Sequence, residues 1–224
     1  MGDDRYSFDF GWLPDAMPIM WRAAFLTVQI LLWSAVLSLM IGLVAGQMLM
    51  SRHVFLRVPA RIYVDFFRLT PLLFQIVTLF FLLPMTTGIS VPAFTSGVIA
   101  LSLNYGAFFA EIFRAGVQSL DKGQWEAADS MGIPHLLVLR RIIYPQAIRR
   151  MLPPIGSMLV SLTKDTSLVS VIGVAELFNT AQSVGAQTFR QIEVLLSISL
   201  IYLAINLPLA WYAERLNRRV NVHA

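Results

Sequence analysis

The sequence contains no cysteine, which excludes disulfide frameworks and thiolate-held zinc or iron–sulfur sites. Only three histidines occur, His53, His135 and His223, and they are too scattered for a metal-ligand spacing. Charge is scarce as well. Asp, Glu, Lys and Arg make up 13% of the 224 residues, against ~25% in an ordinary soluble domain. Lysine is nearly missing, with Lys122 and Lys164 alone. A Walker A loop needs Gly-Lys-[Ser/Thr], yet Asp121 and Thr163 precede these lysines. No HExxH string, supported Ser–Lys pairing or aspartyl pair is present. These shortages exclude an ordinary cytosolic domain and a disordered chain, and offer no bond-breaking machinery.

What is there is apolar: 57% of the residues and a mean hydropathy of +0.67. A spanning helix needs about 20 mostly apolar residues. Residues 23–45 supply one with no charge inside. The others are read at about 62–83, 93–113, 154–174 and 192–211. The second carries Asp65 and Arg68 in its first turns, and the fourth carries Lys164 and Asp165 near its middle. Trp211 and Tyr212 close the fifth, as interface anchors do. The expectation is an all-α, polytopic membrane protein with five spans.

The sequence pI of 9.8 suggests nucleic acid only until the charges are placed. Arg52, Arg57 and Arg61 follow the first span. Arg114, Lys122, Arg140, Arg141, Arg149 and Arg150 follow the third, and Arg215, Arg218 and Arg219 follow the fifth. All of these fall on one side, with Arg5, Arg22 and Arg190 opposite. By the positive-inside rule the crowded side is cytoplasmic. The N-terminus, with Asp3, Asp4, Asp9 and Asp15, is then outside and the C-terminus inside. No basic segment precedes the first span, so no cleaved signal peptide is expected.

The segment between the third and fourth spans is long, and loops of that length are usually functional or structured. Asp121 with Gln124 three residues on has the form of a capping box. The helix it opens is stopped by Gly132 and Pro134. A second short helix is read from Pro134 to a break at Pro145, with Arg140 and Arg141 opposite an apolar face. A small-residue face at Ala127 and Ala128 would let another protein's surface approach closely. A hairpin resting on the membrane surface is the alternative at this point.

Residues 123–132, Gly-Gln-Trp-Glu-Ala-Ala-Asp-Ser-Met-Gly, followed by Ile142-Ile143-Tyr144-Pro145, resemble the EAA loop of ABC-importer permeases. That loop reads EAA, three residues, Gly, nine residues, Ile-x-Leu-Pro. The one departure is Tyr144 at the Leu position. Four further stretches resemble segments of the polar amino acid permeases. They are Phe67-Arg68-Leu69-Thr70-Pro71 (with Leu69 for Gly), residues 101–108, Ala110-Glu111-Ile112-Phe113-Arg114, and Lys164-Asp165-Thr166-Ser167-Leu168. The resemblance covers about residues 20–215.

The resemblance implies a type I importer permease of the MetI-like fold, in a bacterial inner membrane, working by alternating access. It implies a partner permease, identical or similar, and two copies of a cytoplasmic ATPase that hold ATP and Mg, with no cofactor in this chain. It also implies an extracytoplasmic solute-binding protein and a polar amino acid or close relative as cargo. The ATPase-coupling positions are then Gly123, Gln124, Glu126, Ala127, Ala128, Gly132 and Pro145. Residues 1–18 form an outer segment, 19–215 the permease domain with its coupling loop at about 115–150, and 216–224 a basic tail.

Ionisable groups inside a span usually face the bundle interior or a cavity. Lys164 and Asp165 are adjacent and point about 100° apart on a helix, so each needs a separate partner unless the helix breaks there. Thr166 and Ser167 would satisfy backbone groups at such a break. Together they either line the path or lock the span to a neighbour. Arg68 offers a fork suited to a carboxylate, but Asp65 three residues earlier is its obvious partner, and that pair is favoured. Asn104 lines the path or ties helices together. Gln75 has the same two uses, and Glu111 is read as paired with Arg114. Glu176, Asn179, Gln182 and Gln187 fall on the outer loop, either solvated or meeting the binding protein. A secondary transporter is the rival, but no paired internal repeats of the kind common there are visible.

Overall fold

The computed structural model describes residues 7–221, without the side chains of 216 and 219–221. Asp3, Asp4, Arg5, His223, the side chain of Arg219 and the last three residues of the expected tail lie outside the described residues. The rest is helical. The elements are α1 (Leu13–Met50), α2 (Val54–Leu69), α3 (Leu72–Thr87), α4 (Ala93–Gln118), α5 (Lys122–Ser130), α6 (His135–Ile172), α7 (Leu177–Thr188) and α8 (Gln191–Asn221). Four of them, α1, α4, α6 and α8, are long and apolar enough to cross a membrane. The pair α2 and α3 passes the same test together but is bent by 108°.

The first crossing sets the frame. Gly42 and Gly46 lie buried where α1 meets α4. A Cβ on Gly46 would come 3.0 Å from the Ala110 carbonyl, and one on Gly42 would strike Phe109. Small residues let backbones approach this closely, the usual device where lipid supplies no hydrophobic drive between helices. Around it, Ile30, Leu101, Phe109, Leu162 and Val169 form the main core between α1, α4 and α6. The end of the bundle nearest the start of α1 has a second core, in which Met20 and Ala24 of α1 meet Leu177 and Ala181 of α7 and Val194 and Ile198 of α8. There Arg190 holds the chain's start, donating to the Ser7 carbonyl at 3.0 Å and pairing with Asp9 and the buried Glu193, each at 3.5 Å.

Two expected boundaries are corrected. The second span is not one straight helix: it stops at Leu69, Thr70 and Pro71 are extended, and α3 leaves in a new direction. Asp65 and Arg68 consequently sit at the end of α2 and not at the start of a span. The expected break at Pro145 is also absent. Residues 139–143 form a π-helical turn, in which the Tyr144 N–H donates to the Leu139 carbonyl, and the helix runs on. Proline lacks the N–H that would close the next α-turn and its ring crowds the carbonyl four residues back; the wider turn absorbs both. The same device recurs before Pro84, where the Leu83 N–H donates to the Thr78 carbonyl. The fourth span therefore begins about twenty residues earlier than hydropathy suggests, as the continuation of α6.

Candidate functional site: the α5 hairpin and the polar residues of the spans

The α5 hairpin is built by local rules. Asp121 caps it, its Oδ1 accepting from the Gly123 N–H at 2.8 Å. Gln124 does not complete the capping box. Its side-chain amide instead exchanges two hydrogen bonds with that of Gln146 on α6, at 3.1 and 3.0 Å, pinning the hairpin to the span. The helix ends in a Schellman motif, with the Ile133 N–H on the Ala128 carbonyl and the Gly132 N–H on that of Asp129, both at 3.0 Å. Gly132 has φ +66° and nothing near where a Cβ would sit. Its requirement is conformational, and an L-residue there would carry about 1–2 kcal/mol of strain.

The two alanines part company. Ala128 is buried against Val117, Val138, Ile143 and Ala147, so it anchors the hairpin from within and is not free to meet another protein. Ala127 is exposed, as are Gly123, Gly132 and Pro145. The Glu126 carboxylate is exposed too and has no partner among the described residues. Met131 and Leu136, both 76% exposed, give the outward face an apolar character that solvent alone does not explain.

Within the spans the polar residues divide into separate groups. At the bend, Gln75 donates to the carbonyls of Phe67 at 3.0 Å and Thr70 at 3.2 Å and to the Thr70 hydroxyl at 2.8 Å. Asn104 donates to the Phe67 carbonyl at 2.8 Å and to Gln75 Oε1 at 3.1 Å. A broken helix leaves carbonyls unsatisfied, costing several kcal/mol each in a bilayer unless other groups meet them. Two amide side chains meet them here, so Asn104 and Gln75 tie helices together. Gln75 also borders a small apolar cleft of about 270 Å³ between α2 and α3.

Arg68 is not paired with Asp65. Asp65 meets Arg61 at 3.7 Å, while Arg68 lies 3.7 Å from Glu111 with its guanidinium 5.5 Å above the Phe108 ring. Glu111 also receives Arg61 at 3.0 Å and Arg114 at 2.6 Å. The expected Glu111–Arg114 pair is present, but the glutamate is a hub for three arginines. No i, i+3 rule reveals that, because Arg61 and Arg68 arrive from another helix.

On α6 the Tyr105 hydroxyl donates to Asp165 Oδ2 at 2.7 Å. Thr166 and Ser167 donate to the carbonyls of Thr163 and Lys164, each at 2.7 Å. The helix does not break there; it tightens to a 3₁₀ turn over residues 166–172 and stops at Gly173 with φ +80°. Lys164 is exposed, has no side-chain partner among the described residues, and lines a groove of about 630 Å³ between α6 and α8. Ser161 and Ser157, one and two turns earlier, line the same groove.

Glu176 is not a solvated loop residue. It is fully buried and caps α7, accepting from the N–H groups of Phe178 and Asn179 at 3.0 and 2.7 Å and from the Tyr202 hydroxyl at 3.0 Å. Burial raises its pKa, against the opposing pull of those hydrogen bonds. Gln182 and Gln187 are exposed, as solvation predicts. Among the described residues no three His, Asp or Glu side chains gather in a way that could hold a metal ion.

Residues 38–222 match the family described as binding-protein-dependent transport system inner membrane component. The chain belongs to this family. It is 36% identical to the glutamine transport system permease protein GlnP of Escherichia coli (strain K12), over 96% of this chain and 99% of that one. It is 38% identical to the L-cystine transport system permease protein TcyB of Bacillus subtilis (strain 168), over 91% and 87%. The fold superposes on the crystal structure of an amino acid ABC transporter with histidines at a TM-score of 0.89, with 34% identity over 96% of this chain and all of that one. As an inner membrane component of such a system, the chain is a multi-pass membrane permease of the MetI-like fold, all-α as expected.

Proposed function

We propose that this chain is the permease subunit of an ATP-driven importer that carries a polar amino acid, or a closely related solute, into the cytoplasm by alternating access. The observation that carries the reading is the α5 hairpin. It is stiff, capped at both ends and pinned through Gln124 and Ala128 to the spans. Its outward face nevertheless presents an unpaired Glu126, Ala127 and the exposed Met131. Such a face suits docking on a separate ATPase subunit, and the internal ties suit passing its movement to α6.

In this reading the N-terminal segment, residues 1–18, lies outside, the permease domain covers residues 19–215, and the basic tail, residues 216–224, lies in the cytoplasm of a bacterial cell. A second permease, identical or similar, completes the path, two ATPase copies bind ATP and Mg, and a binding protein delivers the cargo. Lys164, with Ser157 and Ser161 along one groove of α6, would face that path or the partner permease, since an unpaired ammonium facing lipid is costly. Nucleotide and loaded binding protein must favour different states of the bundle for coupling to arise. The test is a complex of permease, ATPase and binding protein reconstituted in liposomes. Glu126→Lys and Gly132→Ala are expected to insert and assemble yet lose transport-linked ATP hydrolysis. Normal uptake by both variants would overturn the lever.

A further inference from the structure

The end of α1, the turn after it and the α5 hairpin enclose an open cleft of about 820 Å³. Its charged lining is of one sign. Arg52 reaches it from the turn and Arg57 from the first turn of α2, and no aspartate or glutamate lines it; His135, at the start of α6, adds an imidazole. Neither guanidinium has a hydrogen bond or ion pair among the described residues, and both are exposed. Arg61, Arg68 and Arg114 instead all point at the Glu111 carboxylate. The opposite wall is apolar, with Val44, Met48, Leu56 and Leu139. Trp125 stacks on His135 with centroids 5.0 Å apart and 28° between the planes, giving the cleft a rigid aromatic side.

We propose that this cleft binds the phosphate headgroup of an anionic phospholipid. The depth argues for lipid over a soluble anion. The charge-free run of α1 ends at Ser51 and the first arginine follows directly, which sets the cleft at the level where hydrocarbon gives way to headgroups. Phe55, 92% exposed, and Val54, 53% exposed, project beside it, as side chains do that dip into acyl chains. Basic pockets between helices on the cytoplasmic side recognise anionic headgroups by this combination. A bound lipid would bridge α1 and the wall of the coupling hairpin, so the leaflet would bear on the lever. The cytoplasmic leaflet follows from the orientation given under Proposed function; the cleft and its chemistry do not depend on it.

The intact permease–ATPase complex, purified in a mild detergent, is exposed to equal phosphatidylglycerol and phosphatidylcholine, and retained lipid is counted by native mass spectrometry. Phosphatidylglycerol is expected to exceed phosphatidylcholine about fivefold on the wild type. The ratio falls toward one in Arg52→Gln/Arg57→Gln and is kept in Arg52→Lys/Arg57→Lys. An unchanged ratio in the Gln variant, or loss in the Lys variant, overturns the site. Should the double variant not assemble, each single Gln variant must lower the ratio, and unchanged ratios in both overturn it equally. Inorganic phosphate binding to the complex, abolished by the Gln variant, would assign the cleft to a soluble anion and also overturn the lipid. Retention is read without turnover. A complex that keeps the lipid but never couples ATP hydrolysis to uptake therefore counts against the transport reading alone.

Discussion

The Tyr105 hydroxyl donates to Asp165 at 2.7 Å, while the ammonium of Lys164, the residue just before it on α6, has no partner among the described residues. Adjacent positions on a helix point about 100° apart, and here that angle separates two roles. Asp165 turns toward α4 and locks two spans. Lys164 turns into the groove beside α8, where the proposed function has it face the path or the partner permease.

Removing the lock should therefore cost stability, and removing the free charge should not. Tyr105→Phe leaves a carboxylate without its donor, a penalty of about 1–3 kcal/mol. Thermal unfolding of the purified permease is expected to shift downward. Lys164→Gln should leave the transition in place and lower uptake in the reconstituted complex. Equal thermal shifts in the two variants would contradict this division.

The amides at the bend lead to a coupled prediction. Asn104 and Gln75 share the Phe67 carbonyl and bond each other, so their deletions cannot be independent. A cycle of Gln75→Ala, Asn104→Ala and the double variant should give an interaction energy of at least about 0.5 kcal/mol, as residues in one network do. Additive losses in denaturant or thermal unfolding would remove the network.

How much of this was readable in advance depends on the range of the interaction. The α5 hairpin follows from Asp121, Gly132 and the residues between them, because capping and left-handed turns are local. Four of the crossing helices follow from apolar runs for the same reason. The 108° bend at Thr70–Pro71 does not, since a proline inside an apolar run signals a kink but leaves its angle and what supports it open. What holds the bend open is Asn104, thirty-seven residues away from Phe67. The Glu111 hub and the Tyr105–Asp165 bond are likewise tertiary. The π turns did leave a signal, a proline two residues after each, at Pro84 and Pro145, though Pro145 by itself reads as a break.

Ala127 and Ala128 separate docking from folding. Ala128 is 3% exposed within an apolar cluster, and over-packing a core costs typically about 1–3 kcal/mol. Ala128→Leu should therefore lower the unfolding temperature of the permease on its own. Ala127→Leu, on the exposed face, should leave that temperature unchanged and weaken copurification of the ATPase subunit. If Ala128→Leu is as stable as the wild type, the hairpin is not anchored as described.

Glu176 supplies a pH dependence whose sign follows from its burial. Its pKa in the folded protein is raised, with desolvation outweighing the hydrogen bonds from Phe178, Asn179 and Tyr202. A carboxyl whose folded pKa lies above its unfolded value contributes stability that is fully present below the unfolded pKa and is lost as pH rises through the folded one. The cap holds the start of α7 against Thr27 of α1, whose hydroxyl accepts from the Leu177 N–H at 3.1 Å. Hydrogen exchange across Leu177–Thr188, corrected for intrinsic rates, is thus expected to show this segment opening more readily as pH rises from acidic toward neutral. Glu176→Gln keeps one acceptor oxygen at the cap and cannot ionise, so its α7 should exchange at a pH-independent corrected rate. A wild-type profile that is flat, or that tightens with rising pH, would mean that the hydrogen bonds outweigh desolvation and that the ionised cap is the stable form.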